Sequence, residues 1–544
     1  MENQRFLLYF TLFFIAYLLW AEWQMAYGPA PVETKPIVSQ DVIPAAAEST
    51  SAVPNAADIE TNGVRAPRDT SGKKIRVVTD ILDLEIDTKG GDVRKATLLD
   101  YAIEADKPDV KFILLNEQEY QYHIAQSGIV SKEKESAPTH NAIYSAMQTD
   151  YRLAEGQSEL SVPLVWKNAD GVEVIKTYTF YRGKYNADVN VKVTAGDRDW
   201  SGSQYLQLVR TQPSGDGESA FIHTYTGGVV YNEEIKYEKI DFGDMDDENL
   251  KLDLDDGWLA MIQHYFLVAW IPEQGNKNLY YSRQPSGTYK YILGSRGPAI
   301  KIAAGESEEF DSQFYVGPKI QGQLDEVAPG LELTVDYGIL TIFAKPLFSL
   351  LSVFHDWTGN WGWAIILLTI SVKAVFYKLS EMGYKSMAKM RKVAPRMKAM
   401  KERFGDDRQA MSKAMMEMYK KEKINPLGGC FPILIQMPVF ISLYWVLLES
   451  VEMRHAPFIL WLDNLSAMDP LFILPVVMGI TMFIQQKLNP APVDPIQAKV
   501  FQIMPFAFTI MFAFFPSGLV LYWVVNNILS IAQQYVITKR IEKS

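Results

Sequence analysis

Trp361-Gly-Trp-Ala-Ile-Ile-Leu-Leu-Thr-Ile-Ser-Val-Lys373-Ala-Val-Phe-Tyr377 carries a single charge inside an otherwise apolar run. An ammonium at that depth costs roughly 3 kcal/mol on insertion scales. Each neighbouring Ile, Leu, Val or Phe contributes only about 0.3–0.6 kcal/mol in return. A cation placed at such expense is a functional-site hypothesis by default, and it points to a polar cavity within a membrane-embedded helical bundle. The plainer reading is snorkelling. Leu379 ends the segment about 9 Å further on at 1.5 Å per residue, and a long side chain covers much of that distance.

C-terminal to this run lie four more apolar segments, Phe431–Leu448, Leu471–Ile484, Val500–Phe515 and Leu519–Val536. Pro432, Pro438, Pro475 and Pro505 interrupt them, which membrane helices tolerate when neighbours or water satisfy the freed carbonyls. The short Phe515-Pro-Ser-Gly518 link predicts that the last two form an antiparallel hairpin. Between Lys378 and Asn425 stand 14 Lys/Arg against 6 Asp/Glu, and Lys487, Lys499, Lys539, Arg540 and Lys543 flank the other alternate ends. The positive-inside rule places these ends in the cytoplasm.

On the N-terminal side, residues 331–358 read as an amphipathic helix lying along the membrane surface. Leu340, Phe343, Leu347, Leu350 and Leu351 recur at helical spacing, while Lys345, Pro346 and Asp356 argue against a span. Residues 71–330 read as β-rich. Asp83-Leu-Glu-Ile-Asp87 alternates and stops at Lys89-Gly-Gly91, Val172–Phe180 is a strand candidate, and Ala187–Val193 alternates again. Period-two alternation means half-buried antiparallel strands, and many of them imply a sandwich. Residues 29–70, rich in Pro, Ala, Ser and Thr, read as a disordered tether. Within residues 1–28, Phe6–Trp20 is apolar between Arg5 and Glu22. An uncleaved transmembrane anchor is favoured over a signal peptide cut within Ala26–Ala30.

The fold expected is therefore multi-domain. It has six spans, five of them in a core at 359–544, with a large extracytoplasmic antiparallel β-sandwich and a cytoplasmic helical hairpin at 380–425. Residues 22–335 hold 30 Lys/Arg and 49 Asp/Glu, whereas 336–544 hold 22 and 14. An acidic N-terminal part argues against a nucleic-acid partner there. The single cysteine, Cys430, excludes an intramolecular disulfide and a cysteine-based zinc site. The six histidines show no ligand spacing, and no phosphate-loop, nucleophile-elbow or zincin motif is present. No cofactor or metal is expected.

The cytoplasmic segment is itself helical in pattern. Met387, Met390, Ala394, Met397, Met400 and Phe404 step by three or four. Gly405 is a candidate helix terminator and Asp406 a candidate cap for a second helix carrying Met411, Met415 and Met418. Nine of the 21 methionines lie in 382–418. Pliable methionines suit a surface that accepts varied apolar partners. Three readings stay open: a substrate-receiving face, two methionine faces packed on each other, or a basic face resting on anionic lipid.

Lys423-Ile-Asn-Pro-Leu-Gly-Gly-Cys-Phe-Pro-Ile-Leu-Ile-Gln-Met-Pro438 closely resembles a helix signature of the YidC/Oxa/Alb membrane protein insertases. So do Gly359-Asn-Trp-Gly362, Ser386-Met-Ala-Lys-Met390, Gly405-Asp-Asp407, Met504-Pro505 and Phe515-Pro-Ser-Gly-Leu-Val-Leu-Tyr-Trp523. Gly257-Trp-Leu-Ala-Met-Ile-Gln-His-Tyr-Phe266 and Ala269-Trp-Ile-Pro272 resemble the periplasmic domain of the Gram-negative members.

The resemblance implies five core helices around a hydrophilic groove open to cytoplasm and lipid. It places Lys373 where the family has an arginine, so charge is kept and the planar fork is lost. Thr369 matches a groove-lining position, and Gln436, Ser517, Tyr522, Asn526 and Asn527 are further polar candidates. The implied activity is insertion and chaperoning of inner-membrane proteins in the Gram-negative inner membrane, with both termini cytoplasmic and the large domain periplasmic. The implied partners are nascent inner-membrane proteins, the Sec translocon (SecYEG and SecDF), the ribosome, the signal recognition particle receptor and membrane lipid. Two other classes stay open: a secondary transporter using the intramembrane lysine, against which the lack of an internal repeat counts, and a periplasmic carbohydrate-binding receptor.

Overall fold

The computed structural model describes residues 72–132, 136–213, 224–404, 407–422, 431–489 and 495–543. The anchor at 1–28 and the tether at 29–70 lie outside the described residues. The chain divides into two units. One is described only over Pro285–Tyr289, a turn in which Thr288 N donates to Pro285 O at 3.2 Å. The other holds every element below.

Alternating sequence becomes alternating burial. Leu82–Asp87 buries every second side chain, and the strand ends where Gly90 and Gly91 take φ of 78° and 62°. Glu173–Tyr181 pairs antiparallel with Asn186–Thr194, with Phe180 opposite Ala187 across a turn where Gly183 has φ 69°. Among the described residues one sheet runs Lys251–Asp255, Lys277–Arg283, Lys290–Arg296, Trp200–Thr211, His123–Ser131, Asp92–Ala102, Leu82–Asp87, Lys74–Val78 and Asp150–Arg152. The other runs Lys236–Ile240, Gly227–Asn232, Trp258–Gln263, Phe266–Pro272, Ser307–Pro318, Asn186–Thr194, Glu173–Tyr181, Glu159–Lys167 and Ser145–Ala146. Lys74–Val78 with Asp150–Arg152 is parallel, in a sandwich whose other described pairings are antiparallel. Leu84, Leu206 and Leu208 of the first sheet share a core with Tyr178, Trp270 and Phe314 of the second.

A charged strut crosses that core. Lys176 is fully buried, and its Nζ donates to Gly90 O at 2.7 Å, Ser127 O at 2.9 Å and Ser127 Oγ at 3.0 Å. Asp92, also fully buried, accepts from Arg94 Nη2 at 2.9 Å and Gln126 Nε2 at 3.0 Å. Burial pushes the Asp92 carboxyl up to about 6, against the pull of Arg94 and Lys176. Burial brings Lys176 down to about 8, against the pull of Asp92.

A folded-state pKa above the ordinary 3.8 means that Asp92 contributes stability that is full below 3.8 and lost as pH rises through about 6. Buried His123 and half-buried His264 are lowered, so they give the opposite slope in that range. Lys176 changes charge only above about 8. Comparing the wild type with Asp92→Asn isolates the aspartate. Between pH 4 and 6 the wild type is expected to lose, relative to the variant, on the order of 2 kcal/mol of stability as pH rises. Urea titrations of the β domain's tryptophan signal in the full-length protein at several pH values check this, and parallel pH slopes contradict it.

The helices are α1 (Phe242–Asp247), α2 (Gln321–Val327), α3 (Thr341–Thr358), α4 (Trp361–Val375), α5 (Tyr377–Phe404), α6 (Arg408–Lys421), α7 (Phe431–Glu449), α8 (Ile473–Leu488), α9 (Pro495–Phe512) and α10 (Ser517–Lys543). Among the described residues no single helix is long and apolar enough to cross a membrane by itself. α4 and α5 pass that test together, but with a 68° bend between them. α4 has 15 residues and α8 has 16, against the ~20 that span a bilayer. Of the five core spans expected from sequence, α4 and α8 are thus short apolar helices, whereas α10 has 27 residues. The hairpin expected from residue 380 begins at Tyr377, directly after the bend.

Two other expectations change. The surface helix begins at Thr341 rather than 331, because residues 331–340 fold as two 3-10 turns, Leu331–Thr334 and Gly338–Leu340. Its apolar residues do not share one face. Ala344, Leu351 and Phe354 are buried where α3 packs on α4 and α7, while Ile342, Phe343, Leu350, Val353 and Trp357 are exposed. The last two helices are not packed along each other as a hairpin. Ser517 N donates to Ala467 O at 2.7 Å and Gly518 N to Leu465 O at 2.9 Å, which captures the start of α10 on the loop before α8. α10 therefore lies along α8 and α4.

The sandwich is joined to the segment after α7 by more than a tether. His264 Nε2 meets Leu448 O at 2.8 Å, and since a carbonyl can only accept, the ring nitrogen donates. Tyr337 OH lies 3.2 Å from Ser450 Oγ. Arg454 donates to Ile103 O at 3.1 Å, with its guanidinium over the Phe112 and Phe266 rings.

Candidate functional site: a polar ladder between apolar helices

α4 starts on Asn360, whose side chain accepts from Gly362 N at 2.9 Å and Trp363 N at 3.2 Å. Ile365, Leu368 and Val372 then bury its inner face. On that face Thr369, 1% exposed, donates to Ile365 O of its own helix at 2.7 Å. One turn on, half-buried Lys373 reaches across and donates to Ser530 Oγ of α10 at 2.7 Å. Among the described residues no carboxylate pairs with this ammonium.

α10 presents Tyr522, Asn526, Ser530 and Gln534 at every fourth position, all of them buried. Side chains four apart stack on one helix face, so these form a polar row about 18 Å long. Three of the four rungs have a counterpart on another helix or at its end. Tyr522 bonds Gln436 of α7. Ser530 takes Lys373 of α4. Gln534 Nε2 donates to Asn489 Oδ1 at 3.0 Å and Leu488 O at 3.2 Å, where α8 ends. Among the described residues, Asn526 Oδ1 and Gln534 Oε1 are buried without a hydrogen-bond partner. Beside the row, Asn527 Nδ2 donates to Thr481 Oγ1 of α8 at 3.2 Å. Among the described residues the apolar bundle thus holds in one row two acceptors without a hydrogen-bond partner and a cation without a carboxylate.

The sequence candidates thus separate. Lys373, Gln436, Tyr522, Asn526 and Asn527 meet in or beside the row. Thr369 is satisfied within its own helix. Ser517 donates to Asn464 O at 2.9 Å, about 20 Å along the helix from Ser530. Ser530, Gln534 and Thr481 were missed by sequence reasoning. The fourfold spacing from Tyr522 to Gln534 was the available signal.

The methionine hairpin packs largely on itself. Val393 and Met397 are buried against Met390, Met400, Met418 and Tyr419, with Tyr419 OH 3.3 Å from Met397 Sδ. Met411 and Met415 are half-buried, and Met382 and Met416 are exposed. Met387 lies apart, its sulfur 3.9 Å from Gln534 Nε2. Asp407 rather than Asp406 caps α6, accepting from Ala410 N at 3.0 Å, while Gly405 and Asp406 lie outside the described residues. Gln533 Nε2 donates to Tyr377 O at 3.2 Å and Lys392 Nζ to Ile541 O at 3.0 Å, which ties the base of the hairpin to the end of α10.

Residues 74–350 match the model of the YidC periplasmic domain, and 353–544 match that of the 60Kd inner membrane protein. The chain is 50% identical to the membrane protein insertase YidC of Thioalkalivibrio sulfidiphilus, over 100% of this chain and 99% of that one. It is 48% identical to that of Methylococcus capsulatus, over 100% and 99%. An active YidC insertase crystal structure with the first transmembrane domain resolved is similar at 19% identity and a TM-score of 0.39, over 87% of this chain and 93% of that one. The strings around Lys423–Pro438 and Phe515–Trp523 resembled this family, and the full-length identities show the same: the chain belongs to the YidC family of membrane protein insertases, inner-membrane proteins with a periplasmic domain.

Proposed function

We propose that this protein inserts membrane proteins without chemical catalysis, using the polar row on α10 as the path for the hydrophilic part of its substrate. The observation that carries the reading is the Lys373 ammonium among buried polar groups between apolar helices, with no carboxylate partner among the described residues. A hydrophilic stretch entering the row replaces lost water contacts with protein ones, which shortens the hydrocarbon barrier it must cross. Lys373 attracts acidic substrate residues. The apolar part of the substrate leaves sideways past α7 and α9 into lipid.

In this reading the basic segment between Lys378 and Asn425 is cytoplasmic by the positive-inside rule, and so are both termini, while the sandwich is periplasmic. The outer face of α3, with Trp357 and Ile342 exposed, rests in the interface. Nascent inner-membrane proteins are the substrates. The Sec translocon, the ribosome and the signal recognition particle receptor are the delivery partners. Purified protein in liposomes should insert a small membrane protein without ATP. Saturable solute uptake with no insertion would instead support a transporter.

The methionine hairpin receives the incoming chain. Deleting Lys385–Lys420 is expected to lower insertion at least threefold while the remaining bundle stays folded. Growth rescue of a depleted strain, at matched protein levels, is the measurement, and full rescue contradicts the role.

A further inference from the structure

We infer that Ser530 is a positioning residue that aims the Lys373 ammonium at acidic groups of the substrate. The inference rests on the insertase reading above and adds a residue and a direction to it. Ser530 is buried at 3% exposure, one turn beyond Asn526 on the inner face of α10. Its Oγ lies 2.7 Å from Asn526 O and 2.7 Å from Lys373 Nζ.

These two contacts have a fixed polarity. A carbonyl oxygen only accepts, so the serine hydroxyl donates its single proton to Asn526 O. An ammonium only donates, so Lys373 must use the serine lone pair. The result is a one-way chain from Lys373 N–H through Ser530 O–H to the Asn526 carbonyl, with the Tyr384 side chain of α5 also hydrogen-bonded to Ser530. In it Ser530 can neither donate to the substrate nor turn away from the lysine without leaving a buried group unpaired. Successive hydrogen bonds in such a chain polarise one another.

A lysine side chain is a long flexible stem with a point charge at its end. Bonded to Ser530, the ammonium is held over the row rather than extended along α4 toward the helix end. Its remaining N–H groups have no other side-chain acceptor among the described residues. A carboxylate of the translocated segment is the ligand chemistry that fits. Without the hydroxyl, the stem is free to extend toward the polar end of the segment. The charge then remains in the protein but leaves the substrate path.

The experiment pairs two versions of one small membrane protein, which differ only in having Asp/Glu or Asn/Gln in the translocated stretch. Both are inserted into liposomes carrying full-length wild type, Ser530→Ala, Ser530→Thr, Lys373→Ala or the double variant. Ser530→Ala is expected to lower the acidic-to-neutral insertion ratio about fivefold, as loss of one hydrogen bond of ordinary net strength implies. Ser530→Thr restores the ratio, and adding Ser530→Ala to Lys373→Ala lowers it no further. An unchanged ratio in Ser530→Ala, with a lowered one in Lys373→Ala, overturns the positioning role and leaves the insertase reading standing. An equal loss for both substrates also overturns it, because that is what a merely structural serine does. A ratio that even Lys373→Ala leaves unchanged overturns the electrostatic reading of the row itself.

Discussion

Lys373→Ala should reduce insertion of substrates with acidic translocated segments about tenfold relative to matched neutral ones, and Lys373→Arg should retain most of it. A tenfold effect is about 1.4 kcal/mol, well below the ~4 kcal/mol that two unit charges 4 Å apart exchange at an effective dielectric of 20. The discount reflects a half-buried ammonium, which is partly screened by solvent. Arginine keeps the charge and reaches further, and Ser530 still offers its lone pair to a guanidinium N–H. Quantitative insertion of the matched substrates is the test. Equal efficiency of the Ala variant on both, at normal folding, would show that the intramembrane charge does not act on the substrate.

The second large effect is one of stability. Lys176→Met should destabilise the β-sandwich by about 3–5 kcal/mol, because it strips one partner from a buried charged cluster. Gly90 O and both Ser127 oxygens lose their donor, and buried Asp92 loses a nearby cation. Methionine fills much of the same volume, so the loss reports polar pairing more than a cavity. Denaturant titration followed through Trp258 and Trp270, both buried in the sandwich core, measures it. A loss under about 1 kcal/mol would mean that the strut is no more than packing. A double change of Lys176 and Asp92 to apolar residues should cost at least as much as the single one, because removing Asp92 also takes the acceptor from buried Arg94 and from Gln126.

Much of the architecture was legible in local patterns. Strict alternation in Asp83–Asp87 and Ala187–Val193 located strands to within a residue, because period two leaves one face to bury. The glycines after Lys89 ended a strand, as positive φ requires. The methionine spacing gave two helices, since three-to-four periodicity has no other ordinary meaning. The extent of the surface helix was misjudged because the apolar residues of 331–340 look helical in composition, although Gly338 at φ 58° and Gly330 at φ 77° break the run into tight turns.

The candidate site divides along the same line. Residue chemistry alone singled out Lys373, because a lone charge in an apolar run stands out wherever the chain goes. Residue chemistry also raised Gln436, Tyr522, Asn526 and Asn527, through their likeness to a family. Which of them act together was a question of which helix lies beside which. A short link between Phe515 and Gly518 suggested that α9 and α10 pair, but hydrogen bonds from Ser517 and Gly518 to the loop before α8 redirect α10 onto α4 and α8. That docking brings Ser530 to Lys373 across 157 residues of chain. Local sequence thus decided the elements, their apolar faces and the existence of a buried cation, since propensity and hydrophobic period act over a few residues. Tertiary packing alone decided the cation's partner, the capture of Ser517 by Asn464, and the ties from the sandwich to Leu448–Arg454, since these contacts join residues that no local pattern relates.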